Sequence, residues 1–304
     1  MRDCCFKNYI LKLRDAVYTA ARLKYIRKKQ KLRIMHTKNT IAYIKRHKCS
    51  IARYGDGEFQ LMLQADGPRF QKGSAELAEA LSNVLDNHSP SLLICMPGPM
   101  ISSKGLRKTG KQYWDYWALN NQACIVPMIL KRTGATYCFG DSYISRPYTA
   151  YKSDRYTQRI FYLLKAIWKN RDILIVEGEK TRLGIRNDLF ANVKSAKRIL
   201  CPAENAFDSY EQILQTVLTC WNGELVILAL GPTATILASD LSKRGIQALD
   251  LGHVDIQYEW FLAGDKSFSP VYGKYTNEAI GGRQVGLCDD KNYLSQIIAE
   301  IKKS

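Results

Sequence analysis

No two cysteines in this chain are spaced Cys-x-x-Cys, and their total of nine is odd. Those absences argue against a structural zinc site and against a disulfide framework. Cys95, Cys124, Cys138 and Cys220 lie in apolar surroundings and are expected to be reduced core residues. No apolar run approaches the roughly 20 residues that a membrane span requires. The opening residues, Met1-Arg2-Asp3-Cys4-Cys5, also lack the apolar core of a secretion signal, so a cytoplasmic location is the default expectation. Acidic residues are scarce at one end only. Residues 1 to 48 hold 15 Lys and Arg against 2 Asp and no Glu, a net +13, which leaves only +4 for the other 256 residues. The body of the chain is therefore near neutral, and nucleic-acid binding is not expected of it.

The basic end reads as one long helix over residues 3 to 35, with Phe6, Ile10, Leu13, Val17, Ala20 and Ala21 at helical spacing among cations. Such a helix suits peripheral contact with the inner face of a membrane through residues 1–35; packing on the main domain or on a sister subunit of a homo-oligomer is the alternative. From residue 49 onward the pattern changes. Short apolar runs at Cys49–Tyr54, Ser91–Met96, Ala135–Phe139, Asp172–Glu177, Ala196–Cys201, Glu224–Leu230 and Gln247–Leu251 read as strands. Helical stretches separate them at Ala75–Asn87, Lys111–Lys131, Asp154–Lys169, Ser209–Trp221 and Thr233–Arg244. Strands apolar on both faces and alternating with helices indicate an α/β fold with a mostly parallel sheet flanked by helices. With no repeat and no low-complexity linker after residue 48, the expected organisation is a basic helical extension, 1–48, and one catalytic domain, 49–304.

In such folds the loops leaving the strands carry the chemistry. Ile51-Ala52-Arg53-Tyr54-Gly55-Asp56-Gly57-Glu58 reads as a strand running into a turn, with Asp56 and Glu58 converging across Gly57. Paired oxygen ligands of this kind suit Mn²⁺ or Mg²⁺, which take one or two carboxylates and complete their shells with water and substrate phosphate. The loop after the strand at 172–177 brings Lys180, Thr181, Arg182, Asn187 and Asp188 together, a set that suits a nucleotide or sugar phosphate. Gly231-Pro232-Thr233 opens the helix at 233–244; glycine allows close approach, proline fits the first helical position, and first-turn amides accept anions. That turn is neither a Walker A loop nor Gly-x-Gly-x-x-Gly. After the last strand comes His253, a candidate metal ligand or phosphate partner, with Asp255 and Glu259 as candidate general bases.

Together these segments resemble the GT-D type bacterial glycosyltransferases. The likeness is carried by Ile51–Glu58, Val176–Glu179, Asn187–Phe190, Ala229–Ala234 and Asp250–Trp260, joined by the shorter Ser145–Tyr148 and Gly273–Glu278, in the family's order from about residue 40 to 280. The resemblance implies a Rossmann-like α/β domain of the GT-D type that transfers a sugar from a nucleotide sugar, UDP-glucose or a related UDP-sugar, onto a glycan, glycoprotein or lipid-linked acceptor. It maps the family's Asp-x-Glu metal motif onto Asp56 and Glu58 and its base onto Glu259, with Asp255 and Glu278 as neighbouring alternatives. Arg53, Gly55, Lys180, Arg182 and the amides around Thr233 would then assist the diphosphate. Two other readings use the same features. One is a metal-dependent sugar-nucleotide phosphohydrolase, and the other is a docking module for membranes or polyanions built on the basic extension.

Overall fold

The computed structural model describes residues 17–29, 31–64, 68 and 70–302, so the first half of the expected basic helix lies outside the described residues. Helix α1 covers residues 17–29. It is followed by β1 (Arg33–Ile34), α2 (Thr37–His47), β2 (Ser50–Arg53), α3 (Asp56–Met62), α4 (Ala75–Val84), β3 (Leu92–Met96), α5 (Lys108–Thr133) and β4 (Cys138–Asp141). The second half comprises α6 (Pro147–Ala150), α7 (Asp154–Trp168), β5 (Asp172–Gly178), β6 (Ser195–Cys201), α8 (Tyr210–Cys220), β7 (Leu225–Ala229), α9 (Pro232–Lys243), β8 (Ala248–Asp250), α10 (Val254–Ala263), α11 (Lys291–Gln296) and β9 (Ile297–Glu300).

The strands form one nine-stranded sheet in the order β1-β4-β3-β2-β8-β7-β5-β6-β9, and every ladder is parallel. Period-two alternation sends successive strand residues to opposite faces. Ile173 and Ile175 join one core with Ile41, Ile44 and Phe161 from α2 and α7, whereas Leu174 and Val176 join the other with Leu214 and Leu237 from α8 and α9. Both faces are thus covered, as the doubly apolar strands require. Among the described residues no helix is long and apolar enough to cross a membrane.

Four expectations change. Helix α1 ends by residue 29, and Lys31 takes φ +48. The run of like charge from Arg27 to Arg33 gives way there to β1, which pairs with β4 and buries Ile34. The globular body therefore starts near residue 33 rather than 49, because α2 also buries Thr37, Thr40, Ile41 and Ile44. The fourth strand begins at Cys138 rather than Ala135 and runs on to buried Asp141, because Gly134 ends α5 at φ +80 and the chain needs a turn before entering the sheet. Cys95 is buried as expected, but Cys124 and Cys138 are exposed and Cys220 is half-buried.

Candidate active site

The carboxyl ends of β2, β4, β5, β7 and β8 open into one cavity of about 730 Å³. That is the edge at which parallel α/β sheets bind ligands. Two glycines shape its floor. Gly231 has φ +55, and a Cβ there would lie 2.4 Å from the Phe70 ring; Gly252 has φ +45, and a Cβ would lie 2.4 Å from Arg53 Nη2. Arg53, Gly55, Asp56, Glu58, Gly231, His253 and Asp255 all line this space, so three separate segments named from the sequence meet at one place.

The conformation around the paired carboxylates differs from the expected turn. Asp56 begins the seven-residue α3, with Gly55 as its N-cap and the Glu58 carboxylate accepting the Gly55 N–H at 2.7 Å. Buried Phe59, Leu61 and Met62 hold the helix against the core. Residues two apart on a helix diverge by about 200° around the axis, so Gly57 does not bring the two side chains together. Asp56 instead accepts a 2.6 Å hydrogen bond from the Tyr113 hydroxyl on α5. Burial, with Asp250 nearby, pushes the Glu58 carboxyl up to about 7, against the opposing effects of its own and the Gly55 backbone N–H and of Arg53. The adjacent cation is already committed: Arg53 donates to Asp250 Oδ1 and to Ser145 Oγ, both at 2.7 Å, and to the Asp250 carbonyl at 2.6 Å. The locality is rich in hard oxygen donors, a donor type that suits a divalent cation. Among the described residues no cluster of three or more His, Cys, Asp or Glu is gathered to hold one.

The loop after β5 divides. Neither Lys180 nor Arg182 is among the described residues lining the cavity. Arg182 is buried and donates to the Gly273 and Gly286 carbonyls, bracing the segment that follows α10, and the Lys180 carbonyl accepts from Tyr275. Asp188 faces outward, paired with Lys165 at 2.6 Å and Tyr258 at 2.7 Å. Asn187 turns inward and donates to Asp255 and Glu259, each at 2.7 Å.

The segment after His253 is helical rather than a loop, α10, so Asp255 and Glu259, four apart, share a face. Both accept from Lys274 Nζ, at 2.7 and 2.6 Å, and this lysine is almost fully buried. Asp255 is saturated, since Gly184 N–H and Asn187 occupy its other oxygen. Glu259 is not among the described lining residues, whereas Glu278 is. Glu278 lies 3.1 Å from Arg146 Nη2 and 3.4 Å from His253 Nδ1. Burial favours its protonated form, but His253 and the Arg146 guanidinium outweigh that and hold the carboxyl below its usual value. Arg146, Tyr113 and Lys274 had no role assigned from sequence. A clue for Lys274 was available in the i, i+4 spacing of Asp255 and Glu259, which calls for a cation opposite.

His253 is charge-sensitive. Burial pushes its imidazole down from 6.5 to about 4, with Glu278 opposing and Arg146 and Arg53 assisting. The unfolded chain then takes up a proton that the folded chain refuses, so the stability from this group is complete above pH 6.5 and is lost as pH falls through 4. His253→Gln is expected to flatten the fall in melting temperature between pH 6.5 and 4. An unchanged slope would show that other groups set it.

With this geometry in view, comparison with known proteins is informative. Residues 51–279 match the family model for the glycosyltransferase GT-D fold. Glycosyltransferase GlyD of Streptococcus pneumoniae serotype 4 is 32% identical over 268 residues, which are 86% of this chain and 32% of the relative. The probable glycosyl transferase Gly of Streptococcus gordonii is 32% identical over 273 residues, 90% of this chain and 39% of the relative. The chain thus spans about a third of the length of these curated relatives. A solved structure described as the highly conserved domain of unknown function 1792, with a distinct glycosyltransferase fold, superposes with TM-score 0.84 at 31% identity, covering 93% of this chain and all 100% of that one. A new glycosyltransferase of the same domain from Streptococcus sanguinis gives TM-score 0.79 at 30% identity, covering 89% and 100%.

Proposed function

Because this chain belongs to the GT-D glycosyltransferase family, we propose that it moves a sugar from a nucleotide sugar, of the UDP-glucose or related UDP-hexose class, to a hydroxyl of a glycan, glycoprotein or lipid-linked acceptor. The observation that carries the reading is that Asp56, Glu58, the Arg146 cation and the Gly231 turn that opens α9 all line one cavity. A volume of about 730 Å³ suits a ligand of nucleotide-sugar size.

In this reading Asp56 and Glu58 hold Mn²⁺ or Mg²⁺, which when bound would neutralise charge developing on the departing diphosphate. Gly231 lets the phosphates approach the first turn of α9, whose amides lack intrahelical acceptors, and Pro232 occupies the position where no N–H is needed. The Thr233 hydroxyl of this turn is buried without a hydrogen-bond partner and does not line the cavity, so Gly231 and the first-turn amides carry the phosphate contact in this reading. Arg146 replaces Lys180 and Arg182 as the phosphate-facing cation, since it lines the cavity and they do not. Arg53 acts indirectly by holding Asp250 and the turn at Gly252. The base shifts from Glu259 to Glu278. Lys274 and Asn187 engage Glu259 away from the cavity, and Asp255 is saturated, whereas Glu278 is ionised and reachable by an acceptor hydroxyl.

The test is the melting temperature of the purified chain with UDP, GDP, CMP or dTDP, each with and without Mn²⁺. Binding to the folded state alone raises stability by about 2.7 kcal/mol at one hundred times Kd, a shift of several degrees. A shift with UDP that requires Mn²⁺ is expected; no shift with any nucleotide would refute the reading. In the same preparation UDP-sugar without acceptor should be stable, and rapid release of free sugar would favour the phosphohydrolase.

A further inference from the structure

Helix α1 stands on the body by one edge. Leu23 is its buried residue, and Arg27 ties it down through Asp115 at 2.9 Å and the Pro99 carbonyl at 3.2 Å. At 100° per residue, the side opposite Leu23 and Arg27 carries Val17, Tyr18, Ala21 and Tyr25 as a continuous stripe. Nothing among the described residues covers it, for Val17, Tyr18 and Tyr25 are 68%, 70% and 61% exposed. Exposed Arg22, Lys24 and Lys29 flank the stripe, Lys28 stands at its C-terminal end, and residues 17–29 contain no acid. Arg27 also reaches Ser103, whose neighbour Lys104 is exposed, and Tyr116, the neighbour of Asp115, is exposed on α5. The whole of α1 lies outside residues 51–279, the stretch that matches the family model.

We propose that this face docks on the surface of a bilayer rich in anionic lipid. A narrow apolar and tyrosine stripe bordered by cations is the make-up of a helix lying in the headgroup layer. A second copy of the chain fits poorly, because it would bring an equally basic helix against this one. A nucleic acid would engage the cations but leave Val17 and Ala21 without an apolar partner. Helix α5 joins the two regions: Asp115 anchors α1, while Thr109, Gly110 and Tyr113, on the other side of the same helix, line the cavity.

The full chain should co-sediment with vesicles of phosphatidylcholine containing ~30 mol% phosphatidylglycerol and much less with phosphatidylcholine alone, and the difference should shrink in ~0.5 M NaCl. Each cation near such a surface contributes about a fivefold factor, so Lys24→Glu/Lys28→Glu/Lys29→Glu is expected to weaken partitioning by roughly 100-fold or more with an unchanged melting temperature. Tyr18→Ser/Tyr25→Ser should weaken it about tenfold even at high salt, a loss that charge alone does not produce. Equal binding to both vesicle types would overturn the proposal, as would undiminished binding of the charge-reversed variant. Two other results would also overturn it: dimers in light scattering that the same reversals dissolve, or DNA binding as tight as vesicle binding and indifferent to Tyr25→Ser.

Discussion

Asp56→Asn and Glu58→Gln are each expected to lower sugar transfer by about 10³-fold in kcat, the loss that follows removal of one charge-stabilising group from a preorganised site. Both variants should stay folded, because glutamine still accepts the Gly55 N–H and asparagine still accepts the Tyr113 hydroxyl. Glu58→Gln has a second signature. The folded chain holds the Glu58 proton until about pH 7, whereas an ordinary glutamate releases it near 4.5. Ionising Glu58 in the metal-free protein therefore costs stability that is negligible below pH 4.5, grows between 4.5 and 7, and is complete above 7. At pH 8 the glutamine variant without metal is expected to melt higher than the parent, by up to ~3 kcal/mol of stability, and at pH 4 the two should coincide. In the parent, the Mn²⁺ concentration giving half-maximal activity should rise about tenfold per pH unit below 7, since a ligand must lose its proton to bind metal. Full activity in both variants would remove the metal assignment, and a higher pH 8 melting point beside full activity would leave Glu58 as a strained cap only.

Glu278→Gln is expected to cost 10²- to 10⁴-fold in kcat, the range for loss of a general base, with little change in nucleotide affinity. The division between kcat and KM is the informative part. Glu278 lies 3.1 Å from Arg146, so a merely structural role would loosen that cation and weaken nucleotide binding. A base does not act on the bound nucleotide. The melting shift with UDP and Mn²⁺ should therefore persist while turnover falls. If turnover holds, the base is elsewhere; Asp255→Asn is then the next variant, although saturation of Asp255 by Gly184, Asn187 and Lys274 makes it a poor proton acceptor. Glu259→Gln should have a smaller effect than Glu278→Gln, because Glu259 acts through Lys274 on the segment that carries Glu278.

The division between local and tertiary information is visible in particular residues. Runs such as Ile173-Leu174-Ile175-Val176 have no polar face, and a strand of that kind is stable only with cover on both sides, so the parallel sheet with helices around it was legible from local pattern. The strand-end loops followed, because parallel order puts every carboxyl end on one edge. Asp56, Glu58, Gly231 and His253 were found in that way. The same local reading misjudged the conformation of Asp56–Glu58, because an Asp-Gly pair suits a turn as readily as a helix start, and the Glu58 contact to Gly55 together with burial of Phe59 decided it. Pairings across the chain were beyond it. Arg53 is neutralised by Asp250, 197 positions away, and Arg146, His253 and Glu278 arrive from three separate loops. Which cations remain free to face a ligand depends on those contacts, and they are set by strand register and loop packing, where residue type alone assigned Lys180 and Arg182 to the phosphates. The sequence by itself thus determined the sheet, its ligand-binding edge and the residue types gathered there; the tertiary structure decided which charges are consumed internally and which are left facing the cavity.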